Sequence, residues 1–300
     1  MAGFASNVAF GVRLLDLPDI PFPLGGANHR GSTLQWFHSH GSVAGEWFWK
    51  RATDTSLSIG WSGYASYEVE VEAPARSITA TLEVDLTEGA IAFVVSVLPL
   101  ILPCWGLEPL HGSAVLAGDG AMIVLGPSGA GKSSLAAALE CRGLPFITDD
   151  ASAFDEDLLL WPGPPVVNPR WTEAQQPSVG DYNDKRMRIP SRYSAEPVPA
   201  AAVIVLEPGS HTSLTVSEPK SDARLQAILA NARHGEFLRR RRSSLQFKVA
   251  TGLAQLPLVT VGLDPMRHGP EDVLKALETW SDRIGIPLAD RGPALDRRDQ

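Results

Sequence analysis

The chain has only two cysteines, Cys104 and Cys141, and their spacing matches no paired pattern. A disulfide framework and a zinc ribbon are thereby set aside, and a reducing compartment fits. It also lacks a positive balance: the formal charge is -8, so the molecule as a whole is not built to coat nucleic acid. The N-terminal stretch "MAGFASNVAFGVRLLDLPDIPFP" has neither the basic start nor the unbroken apolar core of a secretion signal. Long apolar runs are scarce. The exception, "GAIAFVVSVLPLILPCWGL" from Gly89 to Leu107, is uncharged and close to the length that spans a bilayer. Pro99 and Pro103 interrupt it and no basic cluster flanks it, so it reads as a buried helix near 88–102. The expectation is a cytoplasmic protein without nucleic-acid or membrane partners. No internal repeat is visible.

Residues 56–86 alternate as strands do. Leu57, Ile59 and Trp61 carry one apolar face, Tyr67, Val69 and Val71 a second, and Ile78, Ala80, Leu82, Val84 and Leu86 a third. Gly63 and Ala73-Pro74 mark the turns, predicting antiparallel strands that end in the apolar helix. Upstream, His38 and His40 form a His-Ser-His pair. Without a carboxylate or cysteine cluster beside them, they read as surface loop residues rather than metal ligands. Trp36, Trp47, Trp49 and Trp61 offer either core packing or amphipathic surface for an extended peptide.

The chemistry begins with "MIVLGPSGAGKSS". The stretch Gly126-Pro127-Ser128-Gly129-Ala130-Gly131-Lys132-Ser133 fits G-x-x-x-x-G-K-[ST] between an apolar strand and an Ala- and Leu-rich helix. Glycines let successive backbone N–H groups turn inward, the helix dipole favours an anion, Lys132 supplies a point charge, and the Ser133 hydroxyl suits Mg²⁺. With Ser134 these residues form the candidate nucleotide site. A hairpin of Val115-Leu116 and Met122–Leu125 around Gly118-Asp119-Gly120 precedes the loop, and Arg142-Gly143 stops the helix. "PFITDD" then ends a short strand with Asp149 and Asp150. One helix and one turn separate them from Lys132, so their strand is expected beside the loop's own. Two adjacent carboxylates can divide the labour, one as general base and one toward the metal.

Further on come a Pro-rich connection (Pro162, Pro164, Pro165, Pro169), a strand "AAVIVLE", helices around 222–240 and 243–255, a strand "LVTVGL" and a helix over 270–284. "ALDRRDQ" reads as a frayed tail. Arg239–Arg242 is the densest positive run. It reads as the solvated C-terminus of a helix, with an acidic-peptide dock or phosphate clamp as the alternative.

The stretch "LHGSAVLAGDGAMIVLGPSGAGKSSLAAALECRGLPFITDD" resembles the kinase core of the HPr kinase/phosphorylase superfamily, and "DYNDKRMRIPSRYSAEPVPAAAVIVLEPG" extends the likeness more weakly. The similarity is strongest to the HPr-kinase-like enzymes of peptide tailoring, including the lasso-peptide kinases. It implies an α/β fold, with a P-loop kinase domain over 106–288, a smaller β-rich (α+β) N-terminal domain over 1–105, and a tail over 289–300. It further implies ATP and Mg²⁺ as cofactors and transfer of the γ-phosphoryl group to a serine hydroxyl on a precursor peptide or small protein. Self-association is left open. Carried over by position, Asp149 and Asp150 are base and metal carboxylate (Asp150 with Ser133 for the metal), and His111 joins them as a catalytic residue. Lys185 and Arg186 are phosphate contacts, whereas Arg188 reads as a solvated basic turn. The family's Glu-containing stretch is missing at clear register, and Glu173 is its only stand-in. Two alternatives stay open: a small-molecule hydroxyl kinase acting on free serine, and a regulatory ATPase. Between Ser133 and Asp149 no transporter-type Leu-Ser-Gly-Gly signature occurs.

Overall fold

The computed structural model describes residues 8–20, 24, 32–53, 55–72, 76–167, 180–182, 185–233 and 239–290. Ala73-Pro74, Pro169, Glu173 and the tail from 291 onward lie outside them.

The first sheet contains β1 (Val8–Ala9), β2 (Val12–Leu15), β3 (Ser32–His40), β4 (Phe48–Ala52), β5 (Ser56–Trp61), β6 (Ala65–Glu70) and β7 (Ser77–Leu82). Their spatial order is β1-β2-β3-β7-β6-β5-β4. The expected strands are β5 to β7, an antiparallel meander turning at Gly63, whose φ is 71°. The sheet is nonetheless not purely antiparallel, because β3 lies parallel to both β2 and β7. The meander β4 to β6 is the crossover that parallel pairing of β3 with β7 requires. Strand β7 also ends at Leu82, short of the expected Leu86. Asp85 accepts a hydrogen bond from the Glu88 amide at 2.9 Å and caps a helix that starts at Leu86.

That helix, α1 (Leu86–Trp105), is long and apolar enough to cross a membrane, but most of it is buried. Phe93, Val94, Leu98 and Ile101 pack into one cluster with Leu57, Tyr67 and Ile78, and the Tyr67 hydroxyl donates to the Gly89 carbonyl at 2.6 Å. The helix changes from α to π over Phe93–Val97 and to 3-10 over Leu102–Trp105, next to Pro99 and Pro103, which have no amide to give the ladder. Trp36 is buried in the same cluster, Trp49 lies over Gly60, and Trp61 is half-buried, so of the four tryptophans only Trp47 stands free, at 80% exposure. His38 and His40 sit on strand β3, not in a loop, with exposed side chains and ring centroids 6.5 Å apart. Among the described residues no group of three or more His, Cys, Asp and Glu could hold a metal.

The second sheet takes β8 (Glu108–Leu110), β9 (Gly112–Ala117), β10 (Gly120–Leu125), β11 (Phe146–Thr148), β12 (Ser152–Phe154), β13 (Leu159–Trp161), β16 (Val198–Pro208), β17 (Thr215–Ser217) and β18 (Leu258–Leu263). A separate hairpin joins β14 (Gly180–Tyr182) to β15 (Lys185–Met187). The helices are α2 (Lys132–Cys141), α3 (Ser221–Leu229), α4 (Arg239–Gln255) and α5 (Pro270–Ile284). Strands β10, β16 and β18 run parallel, with β9 antiparallel to β10. α2 and α5 cover one face through Leu135, Leu139, Leu274 and Leu277; α3 and α4 cover the other through Ile228, Val249 and Leu253. This is a mixed α/β architecture, with helices on both faces of a mixed sheet whose centre, β10, β16 and β18, is parallel.

Three expectations are corrected. The strand of the aspartate pair, β11, hydrogen-bonds to β9 and not to the loop strand β10. The tight turn at Gly118-Asp119-Gly120 folds β9 back onto that edge first, and the helix α2 passes over it. α3 ends at Leu229, not near 240, because the chain turns at Asn231. Consequently Arg239–Arg242 opens α4 and does not close a helix.

The two sheets touch. Ala151 and Ala153 join the apolar cluster of the first sheet, and the Phe10 amide donates to the Pro162 carbonyl at 2.9 Å.

Candidate phosphate-binding site

The site forms where the parallel strands end. Because β9 runs against them, its beginning, not its end, reaches the same rim, and it brings His111 and Ser113 there. The loop after β10 makes a turn that glycine alone accommodates at two points. At Gly126, with φ of 149°, a Cβ would lie 2.7 Å from the Leu206 carbonyl; Gly131 caps α2 at φ of 99°. No side chain caps α2, so the first amides of the helix keep their orientation toward the rim for an anion. The cleft is about 370 Å³, and the segment Ser128–Ser134 lines it together with His111 and Asp150.

Two sets of contacts bind the motif to the rest of the fold. In the first, Asp149 Oδ1 accepts from Ser133 Oγ at 2.9 Å, from Ser113 Oγ at 2.5 Å and from the Asp150 amide at 2.9 Å. Asp149 is buried, and the P-loop serine rests on it across the intervening strand β9.

In the second, Lys132 Nζ donates to the carbonyls of Gly126 at 2.8 Å and Pro127 at 3.0 Å, and lies 3.0 Å from His111 Nε2. His111 Nδ1 faces the Asp150 carbonyl at 3.1 Å and its carboxylate at 3.3 Å. An ammonium on one side and two acceptors on the other assign the ring proton to Nδ1. Arg233 Nη1 closes the chain, 2.9 Å from Asp150 Oδ2 and 2.6 Å from its carbonyl. Asp150 holds a left-handed backbone, φ 64°, which these contacts over-determine. Burial opposes ionisation of Asp150, but the His111 hydrogen bond and the Arg233 charge outweigh it, so its carboxyl is held well below the usual carboxylate range.

A stability prediction arises here. A carboxylate whose folded pKa is depressed stabilises the fold above its unfolded value, and that contribution fades as pH falls toward the folded one. Arg233→Met should therefore lower stability at pH 7, and the gap to wild type should narrow as pH drops below the ordinary carboxylate range, about 4. Urea denaturation at pH 7, 4 and 2 reads this directly, because the loss falls below about pH 4. A gap constant across the series would show that Arg233 acts by packing alone.

Of the expected site residues, the structure gathers His111, Ser128, Gly129, Ala130, Gly131, Lys132, Ser133, Ser134 and Asp150 around one cleft, with Asp149 beneath it. Three points differ from the sequence reading. Ser133 is paired with Asp149, so the carboxylate on its side is Asp149 and not Asp150. The Gly126 amide donates to the Asn231 side chain at 2.9 Å and is turned away from the cleft. Arg188 is an ion-pair partner of buried Glu140 at 2.8 Å, rather than a solvated turn. That pairing, with Ser191, keeps Glu140 below its ordinary value in spite of burial. The side chains of Lys185 and Arg186 lie outside the described residues, although their backbone forms β15. Neither Cys104 nor Cys141 is in a disulfide.

Asn231 and Arg233 were not found from the sequence. Asn231 binds the Gly126 amide, accepts the His111 amide on its carbonyl at 2.7 Å, and anchors to Ala227 at 2.8 Å. The polar pair interrupting "LQAILANARHG" just after an apolar helix is the one signal that was available.

Fold and site define an α/β chain with a cleft lined by a glycine-rich loop. Neither a protein-family model nor a curated protein matches it. Among solved structures it is similar to the Hpr(Ser) kinase/phosphatase from Coxiella burnetii, at 11% identity and a TM-score of 0.30, over 59% of this chain and 92% of that one. At those values the similarity is a weak link of fold and carries no argument about activity.

Proposed function

We propose that the chain is an ATP-dependent phosphotransferase that moves the γ-phosphoryl group to a serine hydroxyl of a precursor peptide or small protein. The observation that carries the phosphotransferase reading is the 2.9 Å bond from Ser133 to Asp149, which ties the phosphate loop to an acidic strand end. The seryl and peptidyl nature of the acceptor comes from the resemblance of the motif stretch to HPr-kinase-like enzymes. In this reading residues 106–288 do the chemistry, and residues 1–105 help to present the acceptor.

Ser133 Oγ and Asp149 Oδ1 are hard oxygen donors side by side, a pair that suits Mg²⁺ when phosphates and water complete its shell. Bound there, the ion would neutralise charge on the transferring phosphoryl group. Lys132 and the amides of the loop hold the β- and γ-phosphates. Asp150, which lines the cleft where Asp149 does not, faces the acceptor. It orients the hydroxyl and, held as a weak base by His111 and Arg233, accepts its proton late, as the oxygen–phosphorus bond forms and the bond to the ADP leaving group breaks.

The full-length chain incubated with [γ-³²P]ATP, Mg²⁺ and short seryl peptides encoded beside its gene should label the peptide on serine and release little phosphate when peptide is left out. Labelling of free serine instead would move the acceptor to a small molecule. Steady release of phosphate to water, with no labelled acceptor, would overturn the kinase reading.

A further inference from the structure

The cleft continues past the phosphate loop. Beyond Ser134 it crosses the ends of β16 and β18, where Leu206, Leu263, Pro265, Met266, His268 and Val273 line it. We infer that this wall receives the purine base of the nucleotide, with Met266 against the ring face and His268 as a hydrogen-bond donor to a ring nitrogen. The inference rests on the phosphate-site reading above.

Position supports it first. The phosphate loop follows β10 and the turn at 264–268 follows β18, with β16 between them. Two strand spacings place the turn roughly 10 Å from the loop, a separation that a ribose bridges. The wall between is apolar, unlike the end marked by Lys132, so it suits the uncharged part of a nucleotide.

Construction supports it second. Met266 is 93% exposed, yet it does not sit on loose chain. The Met266 amide donates to Asp264 Oδ1 at 3.0 Å, and the amides of Arg267 and His268 donate to the Asp264 carbonyl at 3.0 and 2.9 Å. Arg267 lies 3.4 Å from the Asp264 carboxylate, which accounts for the charges of the turn. A fixed turn thus holds a polarizable thioether over the cleft, and sulfur against a ring is a favourable contact.

The third support is the histidine. His268 Nδ1 accepts the Asp264 amide at 3.0 Å, so in the neutral ring the proton sits on Nε2. A purine ring nitrogen is an acceptor that matches such a donor, and base recognition through a few placed polar groups on an apolar wall is how such pockets work.

The test compares ATP with inorganic tripolyphosphate, by calorimetric titration in magnesium buffer, on wild type and Met266→Ser. The serine variant changes only an exposed side chain. It should weaken ATP about two- to tenfold, the range of a sulfur–ring contact, and leave tripolyphosphate unchanged. Unchanged ATP affinity, or equal weakening of both ligands, would overturn the base subsite. So would a raised KM for a peptide acceptor with ATP affinity intact, which would assign the wall to the acceptor. If wild type binds neither ATP nor tripolyphosphate, the phosphate-site reading itself fails and takes the subsite with it.

Discussion

Lys132→Ala should cut phosphoryl transfer by about 10²–10³-fold, the scale at which one preorganised electrostatic contact to a transferring group acts. It should also weaken ATP and tripolyphosphate together, unlike Met266→Ser. The ammonium is buried; it donates to two loop carbonyls and lies 3.0 Å from His111 Nε2. No other cation stands so close to the loop among the described residues lining the cleft. Lys132→Met keeps most of the packing volume, and so separates loss of charge from loss of fold. Lys132→Arg should not rescue, because a planar guanidinium cannot replace a compact ammonium beneath a tight loop. Thermal melting of all three variants checks that the fold persists. Tripolyphosphate affinity within twofold of wild type in Lys132→Ala would mean that the loop is not the phosphate site.

The parts of this site that could be read ahead of the fold are those carried by local physics. The loop glycines, the lysine and the serine are contiguous, and the strand and helix around them show their periodicity within a few residues. The same holds for α5, whose start at Pro270 and stop at Gly285 follow from a fixed proline φ and a left-handed glycine cap. What escaped depends on long-range approach. Nothing in "PFITDD" says that β9 will take the edge beside β10, so the strand was expected one place too near. Asn231 and Arg233 gain their roles only because the turn after α3 is brought against the base of the loop. In β3, Ser32, Leu34 and Trp36 alternate with partly exposed neighbours as a strand should, but the period is lost in the exposed run Phe37–His40, so the two histidines read as loop. The arginine run lies at the start of α4 and not at the end of a helix because α3 already stops at Leu229.

The second large effect should distinguish the two aspartates by kind rather than by size. Asp149→Asn and Asp150→Asn should each reduce transfer about 10²–10³-fold, but only the first should also blunt the Mg²⁺ dependence of ATP binding. Asp149 shares its Oδ1 with Ser133, whereas Asp150 is turned toward His111 and Arg233. In Asp149→Asn the amide oxygen can still accept from both serines and the Asp150 amide, so the geometry survives while the charge is lost. Asp150→Asn should instead destabilise the chain measurably. It leaves the guanidinium of Arg233, with a side chain only 10% exposed, facing a neutral group. Titrating ATP with and without Mg²⁺ against each variant, beside a thermal melt, reads both halves of the expectation. The reverse pattern, Mg²⁺ dependence lost only in Asp150→Asn, would return the metal side to Asp150. Near-normal transfer in both variants would reduce the pair to a strand end that happens to be acidic, because neither proton acceptance nor charge neutralisation would then pass through it.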